Sequence, residues 1–525
     1  MTHPLQEIFD QVSLLHEFLE LHSTRLPNKV AMIYEDRQTT YAEMEERANK
    51  QANKMLEAGI KAGDRIAILA KNIDRFFELN FATMKIGAVL VPVNFRLAPP
   101  EVAFVVNDAR ARFLFVGDDF YGLVEKIEDQ LEHTDHIVGL HDNHPRWAGF
   151  LEWYKDASAD RPDIAISGDD VAMQLYSSGT TGHPKGVELS HNNLLVLLPD
   201  AMTNWGKWEE DDVSIVAMPL FHIAGCEWGM LAFAAGATNI VMPEVDPGKI
   251  LHDIETFKVT QALFVPAVIL SLIQHPNCAT TDFSSLKTVI YGASPIPFEV
   301  QQKAVALFGC DFAQVYGLTE TTGAVTYLPP EAHDGTTRMK SCGKAMATAE
   351  IRTIREDGND CDPGEVGEIL IKSGQVMKGY WNRPEATAEA IRDGWFYSGD
   401  AGYLDEEGYL YIHDRVKDMI VSGGENIYPA EVESALFGHP AIADIAVIGV
   451  PDDKWGESVK AVIVLNDGHA LSEDDFIAYA RDQIAGYKVP RSIDFMDELP
   501  RNPSGKILKR ELRKPYWQGK ERAVN

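Results

Sequence analysis

Residues 177–186 read SSGTTGHPKG, three glycines, four hydroxyl side chains and one lysine in ten positions. The stretch has almost nothing apolar to bury. Its glycines let backbone N–H groups come close to an anion, the hydroxyls add donors, and Lys185 supplies charge. A densely anionic ligand is the partner this set suits. It is not a Walker A loop, because no Gly-Lys-Ser/Thr terminus follows a four-residue gap. A Gly/Ser run by itself is an ordinary surface loop; the order Thr-Thr-Gly-x-Pro-Lys-Gly makes this one an anion site built from Ser177, Ser178, Gly179, Thr180, Thr181, Gly182 and Lys185.

Elements on either side must position that loop. MQLYS reads as a strand running into it. TTYAEMEERANKQANKMLEAG opens with a capping box, Thr40 to Glu43, carries Met44, Ala48, Met55 and Leu56 on one side and stops at Gly59. DRIAILA reads as a buried strand, and short apolar strands followed by turns and helices recur at ALFVPA, TVIYGAS, AIADIAVIGV and KAVIVL. That alternation predicts α/β architecture: a large N-terminal domain of several βα layers with a small mobile α+β domain behind it. The texture turns hairpin-like at DEEGYLYI, and about 110 residues follow with strands and helices of their own, enough to fold as a unit. The boundary is expected between residues 415 and 416.

The chain of 525 residues exceeds one ordinary core. Its net charge of −31 leaves no basic excess for a nucleic acid and suits a solubilising surface. Five scattered cysteines without a CxxC pair argue against a zinc site or a disulfide framework and for a reducing cytoplasm. The longest apolar runs fall short of the ~20 residues that span a bilayer, so at most peripheral membrane contact is expected. No signal-like segment opens the sequence. A homodimer is one of the states it allows.

Beyond the loop, four segments follow in order: VYGLTETTG (315–323), GWFYSGDAGYLDEEGYLYIHDR (394–415), VKDMIVSGGENIYPAEVE (416–433) and PRNPSGKILKREL (500–512). On these five segments the chain resembles the adenylate-forming superfamily, which includes acyl-CoA synthetases, peptide-synthetase adenylation domains and luciferases. SGGENIYPAEVE and PRNPSGKILK are most similar to bacterial medium- and long-chain fatty-acyl-CoA synthetases. Ala345 stands where relatives commonly have proline in a Gly-Lys-Pro turn.

The resemblance implies a carboxylate attacking the α-phosphorus of ATP, release of pyrophosphate, and attack on the acyl-adenylate by the thiol of coenzyme A. An anion meets a polyanion in the first step, so the site must screen charge. Thr180, Thr181 and Lys185 would cradle the β- and γ-phosphates, Thr319 would contact the α-phosphate, and Glu320 would hold Mg²⁺. Asp400 and Arg415 would bind the ribose. Tyr316 would stack on adenine, with Gly292, Ala293 and Ser294 along its other face. Lys506 would stabilise charge during adenylation and then leave as the small domain turns about Lys417. Gly423 and Gly424 would line the pantetheine tunnel. The neighbouring Lys509, Arg510, Arg513 and Lys514 read as solvated surface groups.

The resemblance places the acyl wall at His222, Ile223, Cys226, Val265, Gly317 and Leu318. His222 is a gate or a polar wall, or is simply packed. Acetate-activating relatives carry tryptophan after the stacking tyrosine; Gly317 is expected to leave that floor open. The implied activity is an AMP-forming ligase joining a medium- to long-chain fatty acid to coenzyme A, with ATP and Mg²⁺ as cofactors. A ligase for aromatic, cyclic or steroid acids and an enzyme loading a carrier protein remain open readings. Joint retention of Lys506, Glu320, Asp400 and Arg415 speaks against a catalytically dead scaffold.

Overall fold

The computed structural model describes residues 5–141, 144–177, 184–294, 296–333, 337–355, 357–415, 418–422, 425–452, 454–501 and 507–518. The fold is mixed α/β, with a large N-terminal and a small C-terminal domain. Two large sheets organise the first. One has, among the described residues, eight strands in the order Gly379–Tyr380, Lys185–Ser190, Val171–Ser177, Val89–Val93, Arg65–Leu69, Phe113–Val116, His136–Gly139 and Ala148–Gly149. Its central strands, RIAIL and VLVPV, pair in parallel and are buried along their whole length. Helices on both faces require such continuous apolar runs. The expected capping box is present: Thr40 accepts from the Glu43 N–H, Glu43 accepts from the Thr40 N–H, and the helix Tyr41–Glu57 follows.

The second sheet has nine strands among the described residues. Val213–Val216, Gln261–Phe264, Thr288–Gly292 and Asp311–Leu318 lie in parallel order, and Gly323–Leu328 returns antiparallel. The helix Ile223–Ala235 runs beneath with every residue but Ala224 buried. It is apolar nearly all round, as an interior helix must be. Phe233 meets Phe77 and Phe81 edge-on at 5.1 and 5.4 Å, each pair adding about 0.5–1.5 kcal/mol beyond its buried area. A third, smaller sheet holds Ala349–Ile354, Gly367–Ser373, Trp395–Leu404 and Leu410–Arg415, the last two forming the expected hairpin.

In the C-terminal domain, Ile420–Ser422, Glu425–Ile427, Ile442–Asp452, Gly456–Leu465 and Ser492–Phe495 form one sheet. Ile445, Val447, Ala461 and Ile463 pack against Val432, Leu436 and Phe476 of the two flanking helices. Two expectations are corrected here. AIADIAVIGV and KAVIVL are not successive strands of a βα alternation but antiparallel partners over their full length. A parallel connection needs a dozen or more residues, and the few that separate these strands permit only a hairpin. Nor are all the basic residues after position 506 solvated. Lys509 pairs with Glu433 at 3.0 Å and Arg513 with Asp418 at 2.6 Å, both largely buried, and they fasten the last helix; Arg510 and Lys514 are exposed as expected. Among the described residues no helix is long and apolar enough to cross a membrane.

Candidate active site

Parallel strands put their carboxyl ends on one edge, where ligands of open α/β sheets bind. On that edge of the nine-stranded sheet, Val213–Val216 leads to His222, Gln261–Phe264 to Val265, Thr288–Gly292 to Ala293 and Ser294, and Asp311–Leu318 to Thr319 and Glu320. Ala293 has φ +66°, a left-handed backbone that costs a non-glycine residue about 1–2 kcal/mol. Such strain persists where the surroundings hold a turn in a functional shape.

The acidic turn Thr319–Thr321 is held from several sides. Thr321 Oγ1 accepts from the Leu318 N–H at 2.9 Å and donates to the Gly323 carbonyl at 2.8 Å. Thr322, at φ +50°, donates to the Gln375 carbonyl at 2.6 Å. The fully buried Gln375 amide donates to the Ala324 carbonyl at 2.8 Å and accepts from Thr348 Oγ1 at 2.6 Å. Tyr380 O–H donates to Glu320 Oε1 at 2.9 Å, and the Met377 N–H donates to the Glu320 carbonyl. Lys185 Nζ lies 4.8 Å from the centre of the same Tyr380 ring. One tyrosine therefore joins the lysine of the glycine-rich loop to the glutamate expected to hold Mg²⁺. The donor set fits that ion, which takes one or two protein carboxylates together with substrate phosphates. Among the described residues no three His, Cys, Asp or Glu side chains gather into an all-protein cage.

Ser177 and Lys185 stand opposite each other in antiparallel strands, so the two ends of the glycine-rich stretch are closed like a hairpin. Tyr316 O–H donates to Asp400 Oδ2 at 2.7 Å, joining the residue expected against adenine to the one expected on the ribose. Asp400 is buried and its backbone stands opposite Arg415 across the small hairpin. Together these groups offer cations and donors to phosphates at one end and a carboxylate to a diol at the other.

Of the residues expected at the acyl wall, Ile223 and Cys226 are buried on the first turn of the interior helix, and Val265 and Leu318 are half-buried at the ends of their strands. His222 is the N-cap of that helix, its Nδ1 accepting from the Ala224 N–H at 3.4 Å. Desolvation pushes the imidazole down to about 4, so it is neutral at neutral pH. The expectation for Gly317 is corrected. A Cβ there would overlap the Gly323 carbonyl and come within 2.8 Å of Ala324 Cα. The glycine serves the close pairing of Asp311–Leu318 with Gly323–Leu328, which shifts register between Tyr316 and Gly317. A side chain at 317 meets backbone before it reaches any acyl space.

Ser178, Gly179, Thr180, Thr181, Gly182, Lys417, Gly423, Gly424 and Lys506 lie outside the described residues, as does the Arg415 side chain. Sequence reasoning missed Tyr380 and Gln375. Each acts on the acidic turn across more than 50 residues, Tyr380 on Glu320 and Gln375 on Ala324. No local pattern marks either residue.

The AMP-binding enzyme model matches residues 19–381, and the AMP-binding enzyme C-terminal domain model matches 431–506. The fatty acid–[acyl-carrier-protein] ligase ScoC of Streptomyces coeruleorubidus is 38% identical over 98% of this chain and 99% of its own. The long-chain-fatty-acid–CoA ligase FadD13 of Mycobacterium tuberculosis is 38% identical over 92% of this chain and 94% of its own. The anthranilate CoA ligase AuaEII, solved with anthranoyl-AMP, superposes with a TM-score of 0.89 at 28% identity, covering 96% of this chain and 97% of that one. The first model spans the glycine-rich loop and the acidic turn; the chain belongs to the AMP-binding enzyme family, the adenylate-forming ligases.

Proposed function

We propose that this chain is an AMP-forming acyl-CoA synthetase for medium- to long-chain fatty acids, working through an acyl-adenylate with ATP·Mg²⁺ and coenzyme A. The observation that carries the proposal is the adjacency of Leu318, Thr319 and Glu320. On this reading an apolar wall residue, a phosphate contact and a cation-holding carboxylate follow one another where the strand Asp311–Leu318 runs into the turn Thr319–Thr321. A hydrophobic carboxylate entering there presents its oxygen to the α-phosphorus. Lys185, with Thr180 and Thr181, neutralises the leaving pyrophosphate, and Lys506 meets the charge on the reacting oxygens. The small domain then turns about Lys417, starting from a boundary between residues 415 and 416, and brings Gly423 and Gly424 to the pantetheine arm. The thiol attacks the acyl carbon and AMP leaves. Mg²⁺ bound at Glu320 would supply further screening of the phosphates.

A carrier-protein acceptor is the second reading, favoured by the near-complete coverage of the chain by ScoC. An aromatic acid is the alternative on the donor side, favoured by the superposition on AuaEII. The test is acid-dependent pyrophosphate release over straight-chain acids from acetate upward and a set of aryl acids, without acceptor, with coenzyme A and with holo carrier protein. Fatty acids turned over with coenzyme A support the proposal. A panel on which no acid releases pyrophosphate defeats it.

A further inference from the structure

Glu227 lies one turn beyond Ile223 and directly after Cys226, on the helix that forms the acyl wall. Its side chain is only 4% exposed. The carboxyl is wedged against Gly323, whose absent side chain makes the room: an ideal Cβ there would overlap Glu227 Oε2 and lie 2.7 Å from its carboxyl carbon. Gly323 in turn pairs with Leu318, and its neighbour Ala324 pairs with Gly317. The carboxyl thus lies between the helix that carries Ile223 and Cys226 and the strand start that pairs with Leu318.

Among the described residues nothing answers this carboxyl. Oε1 is buried without a partner, and among the described residues the Glu227 side chain makes no hydrogen bond and no ion pair. The other buried carboxylates all have one: Asp74 has Arg37, Glu78 has Arg47 and Gln51, Asp212 has Lys287, Asp253 has Lys249, Asp400 has Tyr316, Asp418 has Arg513 and Glu457 has the Val421 N–H. Burial alone, with no compensating group, drives the Glu227 carboxyl well above the usual range and so favours its neutral form. A buried polar group left unmatched in a fold calls for a reason, and a ligand that supplies the match is one. A neutral carboxyl both donates and accepts, which is the complement of a hydroxyl.

We propose that Glu227 is a specificity residue that hydrogen-bonds a hydroxyl substituent on the acyl group, so that the preferred acids are hydroxylated rather than plain hydrocarbon. This rests on the acid-activating reading above and narrows it. Sites built to pair a substrate hydroxyl reject the analogue without it far more strongly than apolar pockets reject an added methylene.

The test compares acids matched in carbon skeleton with and without a hydroxyl: octanoate and dodecanoate against their 2-, 3- and ω-hydroxy forms, and cinnamate against its 2-, 3- and 4-hydroxy forms. The readout is kcat/KM for pyrophosphate release by the full chain. Wild type should prefer at least one hydroxylated acid over its partner by tenfold or more. Glu227→Leu should abolish that preference, and Glu227→Gln should keep most of it. Ligand-free Glu227→Leu should melt no lower than wild type, because the carboxyl holds nothing in place. Turnover of the acids with no hydroxyl preference anywhere, a preference that survives Glu227→Leu, or a large loss of melting temperature in that variant would each overturn the inference and leave the ligase reading standing. Failure to activate any acid would overturn both.

Discussion

Replacing Tyr380 by phenylalanine deletes one hydroxyl and tests whether Glu320 is a metal-holding carboxylate oriented by its neighbours. The hydroxyl donates to Glu320 Oε1 at 2.9 Å, while the ring beneath Lys185 Nζ at 4.8 Å remains in the variant. A hydrogen bond to a charged group is worth about 1.5–3 kcal/mol. At ~1.4 kcal/mol per factor of ten, that is roughly a 10–100-fold effect, the range seen when a ligand's supporting partner is removed. The carboxylate is still fixed at its backbone by Met377 and the Thr321, Thr322 and Gln375 bonds, so folded stability should fall by only ~1 kcal/mol. The assay is acid-dependent ATP–pyrophosphate exchange titrated with Mg²⁺. Tyr380→Phe should raise the Mg²⁺ needed for half-maximal exchange by about 10–100-fold, with a smaller change in the KM for the acid. Tyr380→Leu, which also removes the face under Lys185, should additionally weaken ATP. A folded Phe variant with the Mg²⁺ dependence of wild type would refute the reasoning.

Lys506→Ala should reduce acyl-adenylate formation by about 10²–10³-fold or more while thioester formation from supplied acyl-adenylate continues; near-normal pyrophosphate exchange would remove Lys506 from the chemistry. Gly317→Ala should lower the melting temperature and slow all acids alike, because its Cβ meets the Gly323 carbonyl. A change in chain-length ranking at unaltered stability would restore position 317 to the acyl floor. Acid should destabilise the fold through two buried histidines, His22, held down to about 4, and His191, held down to about 3, both chiefly by burial. The native state keeps them neutral while the unfolded chain protonates them near 6.5, so their contribution is complete above that pH. It is lost progressively as pH falls from 6.5 to about 4 for His22 and to about 3 for His191, at up to about 1.4 kcal/mol per pH unit for each. Urea melts from pH 7.5 to 4.5 should show this slope, and His191→Asn should flatten it; an equal slope in the variant would count against the assignment.

What was legible in the sequence is what local pattern encodes. The capping box Thr40–Glu43 and the strands RIAIL and TVIYG follow from periodicity and turn chemistry within a few residues, and the glycine-rich loop is one contiguous stretch. The site's internal contacts were not legible because they join distant positions: Tyr316 meets Asp400 across 84 residues, and Tyr380 meets Glu320 across 60. Gly317 invited a pocket argument from its neighbours, whereas strand pairing with Gly323 decides its identity. The pairing of Ile442–Asp452 with Gly456–Leu465 was within reach of the sequence, since so short a connection excludes a crossover helix. Glu227 gave no signal, because an orphaned carboxyl is defined by what surrounds it and not by its spacing.

The central claim is that the carboxylate itself attacks the α-phosphorus, and isotope transfer tests it most directly. With an activated acid labelled with ¹⁸O in both carboxylate oxygens, one labelled oxygen forms the bond to phosphorus and stays there when the thiol displaces AMP. Mass spectrometry of the products formed with coenzyme A should find one ¹⁸O atom in AMP and none in pyrophosphate. Label in inorganic phosphate together with formation of ADP, or unlabelled AMP, would contradict the account.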